Sequence, residues 1–154
     1  MKFRVLGVDH LGIACADLES GSAFWEGKLG VKKTGQETVE SQKVTTVFHP
    51  MWNGSQAELL VATGPDSPIA KWMESNGGKG GIQHVALRVD NLQAALDELA
   101  ANGVALIDKA PRRGAGGANI AFIHPKSTGG VLLELYELCN ASTQIGRASC
   151  RERV

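Results

Sequence analysis

The feature that most constrains the fold is an internal repeat. The segment "DHLGIACADLE" (9–19) corresponds to "QHVALRVDNLQ" (83–93), which aligns His10 with His84 at a shift of 74 residues. Further along each half, an apolar segment carries a single glutamate, Glu58 in "AELLV" and Glu134 in "LLELY", at a shift of 76 residues. A histidine near the start and a glutamate near the end therefore occur in both halves, which predicts one module present twice.

Each half has the pattern of a βαβββ module. The first helix is predicted to begin after the N-cap Asp17, to run to about residue 28 and to stop at Gly30. The second helix has leucines on one face and is followed by Gly103. The predicted strands are 4–14, 31–37, 43–49 and 57–62, then 81–89, 104–109, 118–124 and 131–136, and the second helix covers 91–102.

These elements predict a single domain over residues 1–140. Module one covers 4–63 and module two covers 81–138. The linker, 64–80, is rich in glycine and proline and includes a short predicted helix from about Pro68 to Glu74.

The last ten residues, "IGRASCRERV" (145–154), are interpreted separately from the fold. They match the translation of a common sequencing adapter, so we interpret them as a non-native tail. The alternative is a genuine basic tail.

Charge and composition exclude several classes of partner. The formal net charge is zero, which gives no electrostatic basis for binding nucleic acid or an anionic membrane. No apolar run approaches the roughly 20 residues of a membrane span, and no signal-peptide pattern follows Lys2 and Arg4. The three cysteines lack metal-type spacing and cannot all pair with one another. We therefore expect reduced cysteines and a cytoplasmic protein.

The polar residues of the repeat are predicted to share one face of the sheet. Side chains alternate along a strand, so His10 lies opposite Leu11 and Ile13, which are expected to face the helices. The same alternation applies to the other polar residues of the repeat. We predict that all four point to the concave face of a curved sheet: His10, Glu58, His84 and Glu134. Small residues beside the histidines are expected to leave room for a cavity there.

Two imidazoles and two carboxylates form a donor set suited to a divalent ion such as cobalt, nickel, zinc, manganese or iron. Taken singly, a histidine in a strand is more often a structural residue, and a glutamate on a final strand more often faces solvent. Their recurrence in both halves favours the metal. His49 and His124 each precede a proline, and a role in a turn suffices for them.

Longer motifs carry a resemblance to a known family. The segments "DHLGIA", "SPIAKW", "GIQHVALRV", "PRRGAGG" and "AFIHPKSTGGVLLEL" resemble the vicinal oxygen chelate superfamily, specifically its methylmalonyl-CoA epimerases, over about residues 6 to 137. The resemblance implies an α+β fold in which the two tandem modules form a curved, partly closed mixed sheet with the helices outside. It also implies a homodimer.

The same resemblance implies a metal site and a reaction. The metal ligands map onto His10, Glu58, His84 and Glu134, and cobalt is the expected ion. The implied reaction interconverts (R)- and (S)-methylmalonyl-CoA by removal and return of the C2 proton through a metal-stabilised enolate. Glu134 is the expected base.

This chain departs from the family pattern at two places. Many epimerases have two histidines where it has Gln83 and His84. Some members have a second catalytic glutamate where Thr46 stands here, so the second acid or base stays open among Glu40, Lys43 and a water.

Three basic residues are candidates for binding the acyl-CoA thioester. Arg112 and Arg113 lie in a glycine-rich segment and Lys126 follows the second His-Pro pair, where they could contact phosphates or the substrate carboxylate. A solvated turn is the alternative for these residues.

Other functions of the same fold stay open. The nearest is a glyoxalase I-type lactoylglutathione lyase, which also uses two histidines and two glutamates around a metal. A ring-cleaving dioxygenase is disfavoured because its iron needs two histidines and one carboxylate. A small-molecule binding module without metal is a third alternative.

Overall fold

The computed structural model describes residues 1–139 of the chain. The helices are α1 (Leu18–Gly27), α2 (Pro68–Ser75) and α3 (Leu92–Ala101). The strands are β1 (Val5–Ala14), β2 (Gly35–Val39), β3 (Val44–Pro50), β4 (Gln56–Ala62), β5 (Gly81–Val89), β6 (Arg112–Arg113), β7 (Asn119–Ile123) and β8 (Leu133–Glu137). The order βαβββ therefore occurs twice, with α2 between the copies, as predicted. The predicted tail lies outside the described residues.

One predicted strand is wrong. Residues 104–109 contribute an isolated bridge between Leu106 and Ile123, and the second strand of module two is reduced to the two residues of β6. The reason is local. The backbone N–H groups of Ile107 and Asp108 both donate to the Phe122 carbonyl, so the segment bulges at that point and does not continue as a ladder.

The chain divides into two compact units, and the first is Val8–Ala86. Its strand order is β2-β3-β4-β1-β5. β1 and β4 pair in parallel, while β3 pairs antiparallel with both β2 and β4, so the sheet is mixed. Its apolar core includes Ala14, Val44, Leu60 and Ile69, against which Trp72 and Met73 of α2 pack.

Helix α1 packs on the opposite face of this unit. Its N-cap is Asp17, whose side chain accepts a hydrogen bond from the Ser20 backbone N–H. A Cβ at Gly21 of α1 would lie 2.9 Å from the Cys15 sulfur and 3.2 Å from a methyl of Leu59. The helix therefore covers the face of Cys15 and Leu59, as strand alternation predicts.

The second unit contains Met1–Gly7 and the described residues from Leu87 onward. In it the end of β5 is followed by β8, β7 and β6 in strand order. Helix α3 begins after the N-cap Asn91 and buries Leu92, Ala95 and Leu96. These residues pack with the strand residues Val89 and Leu135 in one apolar cluster.

Two further expectations have structural outcomes. Cys15 is a free thiol, and the expectation for the other two cysteines stays a prediction. Among the described helices, none has the length and apolar character that crossing a bilayer requires.

Candidate metal site

Three of the four predicted ligands converge in the Val8–Ala86 unit. His10 on β1, Glu58 on β4 and His84 on β5 each offer a donor atom, and these atoms lie within 4.8 Å of one another. The Nε2 of His10 is 3.1 Å from the Nε2 of His84 and 2.8 Å from a carboxylate oxygen of Glu58. All three side chains are buried.

The spacing of these atoms fits a metal ion. Bonds of about 2.1 Å to zinc and similar ions put neighbouring donors roughly 3 Å apart. The strand register explains the convergence, because Glu58 pairs with Gly12, two residues after His10 on the adjacent parallel strand. The donor set of two imidazoles and a carboxylate suits a divalent transition metal or zinc.

The outer nitrogens of both imidazoles have partners. The Nδ1 of His10 is 2.8 Å from a carboxylate oxygen of Asp9, and the Nδ1 of His84 is 2.6 Å from the amide oxygen of Gln83. Sequence reasoning missed Asp9 and Gln83, although each directly precedes a predicted ligand. With protons on Nδ1, the Nε2 atom of each ring is the one that would bind a cation, in place of the contacts that it makes with the other histidine and with Glu58.

His84 is suited to bind a cation because it is uncharged at neutral pH. Burial, and to a lesser degree the neighbouring His10, lower the pKa of His84 to about 3. A metal ligand must be a neutral imidazole.

Gly12 provides the space for the His84 ring. A Cβ at Gly12 would lie 2.1 to 2.6 Å from three atoms of that ring, far inside van der Waals contact. Small residues were expected to leave a cavity beside the histidines, but at Gly12 the space is filled by His84 itself. The glycine is therefore a requirement of the site.

Glu134 belongs to the other unit. It is buried on β8, where it pairs with Phe122 of β7. The cluster of three lies wholly within Val8–Ala86, so the assignment of Glu134 as ligand and base stays a prediction.

Comparison with known proteins identifies the family. A sequence model described as the Glyoxalase/Bleomycin resistance protein/Dioxygenase superfamily matches residues 9–122. The chain belongs to this superfamily. It is 40% identical to the uncharacterized protein YqjC of Bacillus subtilis over 84% of this chain and 91% of that protein. It is 36% identical to the human mitochondrial methylmalonyl-CoA epimerase over 83% of this chain and 72% of that protein.

A solved relative confirms the fold. The structure of a Streptomyces coelicolor methylmalonyl-CoA epimerase variant in complex with 2-nitronate-propionyl-CoA is similar to this chain with a TM-score of 0.82. The two are 32% identical, and the match covers 89% of this chain and 100% of that one. The predicted α+β vicinal oxygen chelate fold and the resemblance to epimerases are thereby confirmed.

The three basic residues proposed for substrate binding in this superfamily member differ in their surroundings. Arg112 is half-buried, with its Nε 3.1 Å from an Asp108 carboxylate oxygen and its guanidinium 5.4 Å from the centre of the Phe122 ring. Arg113 and Lys126 are exposed. All three lie in the second unit, and their roles stay predictions.

The two His-Pro histidines have different roles. His124 is exposed in a turn, where its Nδ1 accepts a hydrogen bond from the Lys126 backbone N–H, as expected. His49 is fully buried within β3, with its Nδ1 2.9 Å from the Val31 carbonyl and its Nε2 3.1 Å from the Ser22 hydroxyl. The expected turn role is therefore wrong for His49, which ties α1 to β3.

The residues considered for the second acid or base lie in different environments. Glu40 is exposed, and Lys43 forms an ion pair with Asp66. Thr46 is buried and pairs with Glu37 of β2, a half-buried carboxylate that sequence reasoning missed. Directly paired residues share a sheet face, and on β3 this is also the face of Phe48, which pairs with Glu58.

Proposed function

We propose that the protein interconverts (R)- and (S)-methylmalonyl-CoA by removing and returning the C2 proton, with a divalent metal ion as cofactor. The observation that carries the proposal is the buried cluster of His10, Glu58 and His84 in a chain similar to methylmalonyl-CoA epimerases. We further propose that Glu134 completes the ligand set, that cobalt is the ion, and that the protein is a cytoplasmic homodimer.

The metal-binding residues have a definite task in this reaction. The C2 hydrogen lies between a thioester carbonyl and a carboxylate, and its removal puts negative charge on the carbonyl oxygen. A cation held by the cluster supplies electrostatic stabilisation of that charge. The histidines and Glu58 therefore bind and orient, and the proton is moved by other groups.

Proton transfer on two faces of C2 requires two acid–base groups. We propose Glu134 as one of them, because it is a buried carboxylate at the repeat-equivalent position of Glu58. For the other we favour Glu37 over Glu40 and Lys43, because its strand register gives it the same sheet face as Glu58.

The first experiment tests metal-dependent proton exchange. The C2 proton signal of methylmalonyl-CoA is followed by NMR in deuterated buffer, with protein that has been loaded with cobalt and with protein treated with a chelator. We expect exchange with the loaded protein only, restored when metal is added back. His84→Ala should abolish both metal binding and exchange.

Two outcomes would change the assignment. Absence of exchange together with turnover of the methylglyoxal–glutathione adduct would indicate a glyoxalase I-type lyase. Undiminished exchange by metal-free His84→Ala protein would refute the metal site.

The second acid or base is tested by a matched pair of variants. Glu37→Gln should slow C2 exchange by about 100-fold, a typical effect of losing a general acid or base, while Glu40→Gln should exchange at the wild-type rate. The reverse order would remove Glu37 from the mechanism.

A further inference from the structure

Each histidine of the cluster contacts the side chain of the residue before it. Asp9 is 98% buried and its Oδ1 is 2.8 Å from the Nδ1 of His10. The Oε1 of Gln83 is 2.6 Å from the Nδ1 of His84. The two contacts occupy equivalent positions of the repeat, but one partner is a carboxylate and the other is an amide.

Both partners determine where the proton of the imidazole lies. A carboxylate oxygen and an amide oxygen are hydrogen-bond acceptors, so in each contact Nδ1 carries the proton and donates it. Each Nε2 is directed into the cluster, where the two atoms lie 3.1 Å apart and the Nε2 of His10 is also 2.8 Å from a Glu58 carboxylate oxygen. Nε2 is therefore the atom of each ring that would offer its lone pair to a cation. The opposite tautomer would leave Nδ1 lone pairs facing the oxygens of Asp9 and Gln83.

We propose that Asp9 and Gln83 are positioning residues that hold His10 and His84 in the Nδ1–H tautomer, and that charged Asp9 makes His10 the stronger metal ligand of the two. An imidazole that donates electrons to a cation gains positive charge. The Asp9 carboxylate stabilises this charge more strongly than the Gln83 amide does. This inference rests on the proposed metal site.

Zinc affinity of the full-length protein tests the proposal, using zinc as a diamagnetic probe. Asp9→Asn keeps an acceptor and removes the charge, so its affinity should fall by about 10- to 100-fold, the usual effect of changing a ligand's hydrogen-bond partner. Gln83→Glu adds the charge to His84 and should raise the affinity about tenfold. Gln83→Leu removes the acceptor and should lower it about tenfold.

One exposed, hydrogen-bonded pair of residues on α3 offers the same Asp→Asn and Gln→Glu substitutions as controls. Gln93 donates to Asp97 there, outside the Val8–Ala86 unit. Asp97→Asn and Gln93→Glu should leave zinc affinity unchanged. If Asp9→Asn and Gln83→Glu also bind zinc like the wild type, the proposal is overturned.

Nitrogen NMR of the imidazole rings provides a second measurement that does not require metal or activity. In zinc-free wild-type protein we expect His84 as the Nδ1–H tautomer, and in Gln83→Leu a shift of population toward Nε2–H. A Nε2–H tautomer in the wild type, or no change in the variant, would overturn the role of Gln83.

The outcomes separate this inference from the proposed function. A wild type that binds zinc and exchanges the C2 proton, with variants that match it, would leave the function standing and reject the positioning residues. A wild type with Nδ1–H histidines that bound zinc but did not exchange the C2 proton would support the positioning residues and reject the epimerase.

Discussion

Gly12 is a residue at which one methyl group decides whether the site forms. The missing side chain of Gly12 is replaced in space by the His84 ring, and its backbone needs no left-handed conformation. Gly12→Ala is therefore compatible with the strand but not with the position of His84.

We predict that Gly12→Ala lowers zinc affinity by at least about 100-fold, because the loss of a correctly placed ligand exceeds the effect of losing an outer hydrogen bond. Isothermal titration of the folded variant measures this. Gly35→Ala is the matched control, since a Cβ at Gly35 would meet only Phe48, at 3.8 Å. Wild-type affinity in Gly12→Ala would mean that His84 is not a ligand.

His49 tests the difference between a structural and a metal-binding histidine. Its ring is fully buried and bonded to Ser22 and Val31. We predict that His49→Ala lowers the free energy of unfolding by about 3 kcal/mol, as other large-to-small core changes do, with unchanged zinc affinity. His124→Ala, which removes the other histidine that precedes a proline, at an exposed turn, should lower the free energy of unfolding far less in the same urea titration. Equal losses would contradict the structural role of His49.

At the residue scale, the sequence predicted the ligands better than their partners. His10, Glu58 and His84 could be identified because each is a polar residue in an apolar strand at a repeated position. Asp9 and Gln83 could not, because strand alternation directs neighbouring side chains to opposite faces. Their hydrogen bonds depend on side-chain torsions that no periodicity encodes.

At the scale of elements, the starts of two helices show which structural features nearby residues determine. Asp17 and Asn91 occupy equivalent positions and both cap a helix through the backbone N–H three residues on. The Asp17 cap predicted the first helix, whereas the second was predicted from its leucine face, and its Asn91 cap is found only in the structure. The failure at 104–109 has a different cause, since this largely apolar segment is interrupted where the backbone N–H groups of Ile107 and Asp108 both donate to the Phe122 carbonyl.

The two caps should differ in their response to pH. Hydrogen bonds from Ser20 lower the pKa of the Asp17 carboxyl below its ordinary 3.8, so its stabilisation is complete above pH 3.8 and is lost as the pH falls through the lowered value. We predict that Asp17→Ala has a lower free energy of unfolding than the wild type at pH 7. This difference between variant and wild type should shrink toward pH 3. Asn91→Ala should lower the free energy of unfolding by about 1 kcal/mol at every pH in this range.

Urea titrations at several pH values compare the two variants. Because the Asn91 amide does not titrate in this range, its variant corrects for the general effect of acid on the fold. A pH-independent loss in Asp17→Ala would show that the cap does not depend on the charge of Asp17.

At the scale of the whole unit, the ligands link strands that are far apart in sequence. His10 and His84 lie near the two ends of Val8–Ala86, and Glu58 lies between them on β4. The repeat predicted that these residues would meet, because equivalent strands of two copied modules can pair.

Metal should therefore stabilise the folded chain, because the unfolded chain does not hold the three ligands together. At a free zinc concentration 100 times the dissociation constant, binding adds about 2.7 kcal/mol to the free energy of unfolding. We predict a gain of this size in urea titrations of the wild type with zinc relative to protein with a chelator. His84→Ala should show little of it at the same zinc concentration. An equal gain in both would mean that zinc stabilises the protein elsewhere, and the cluster would then be a hydrogen-bonded core without a cation.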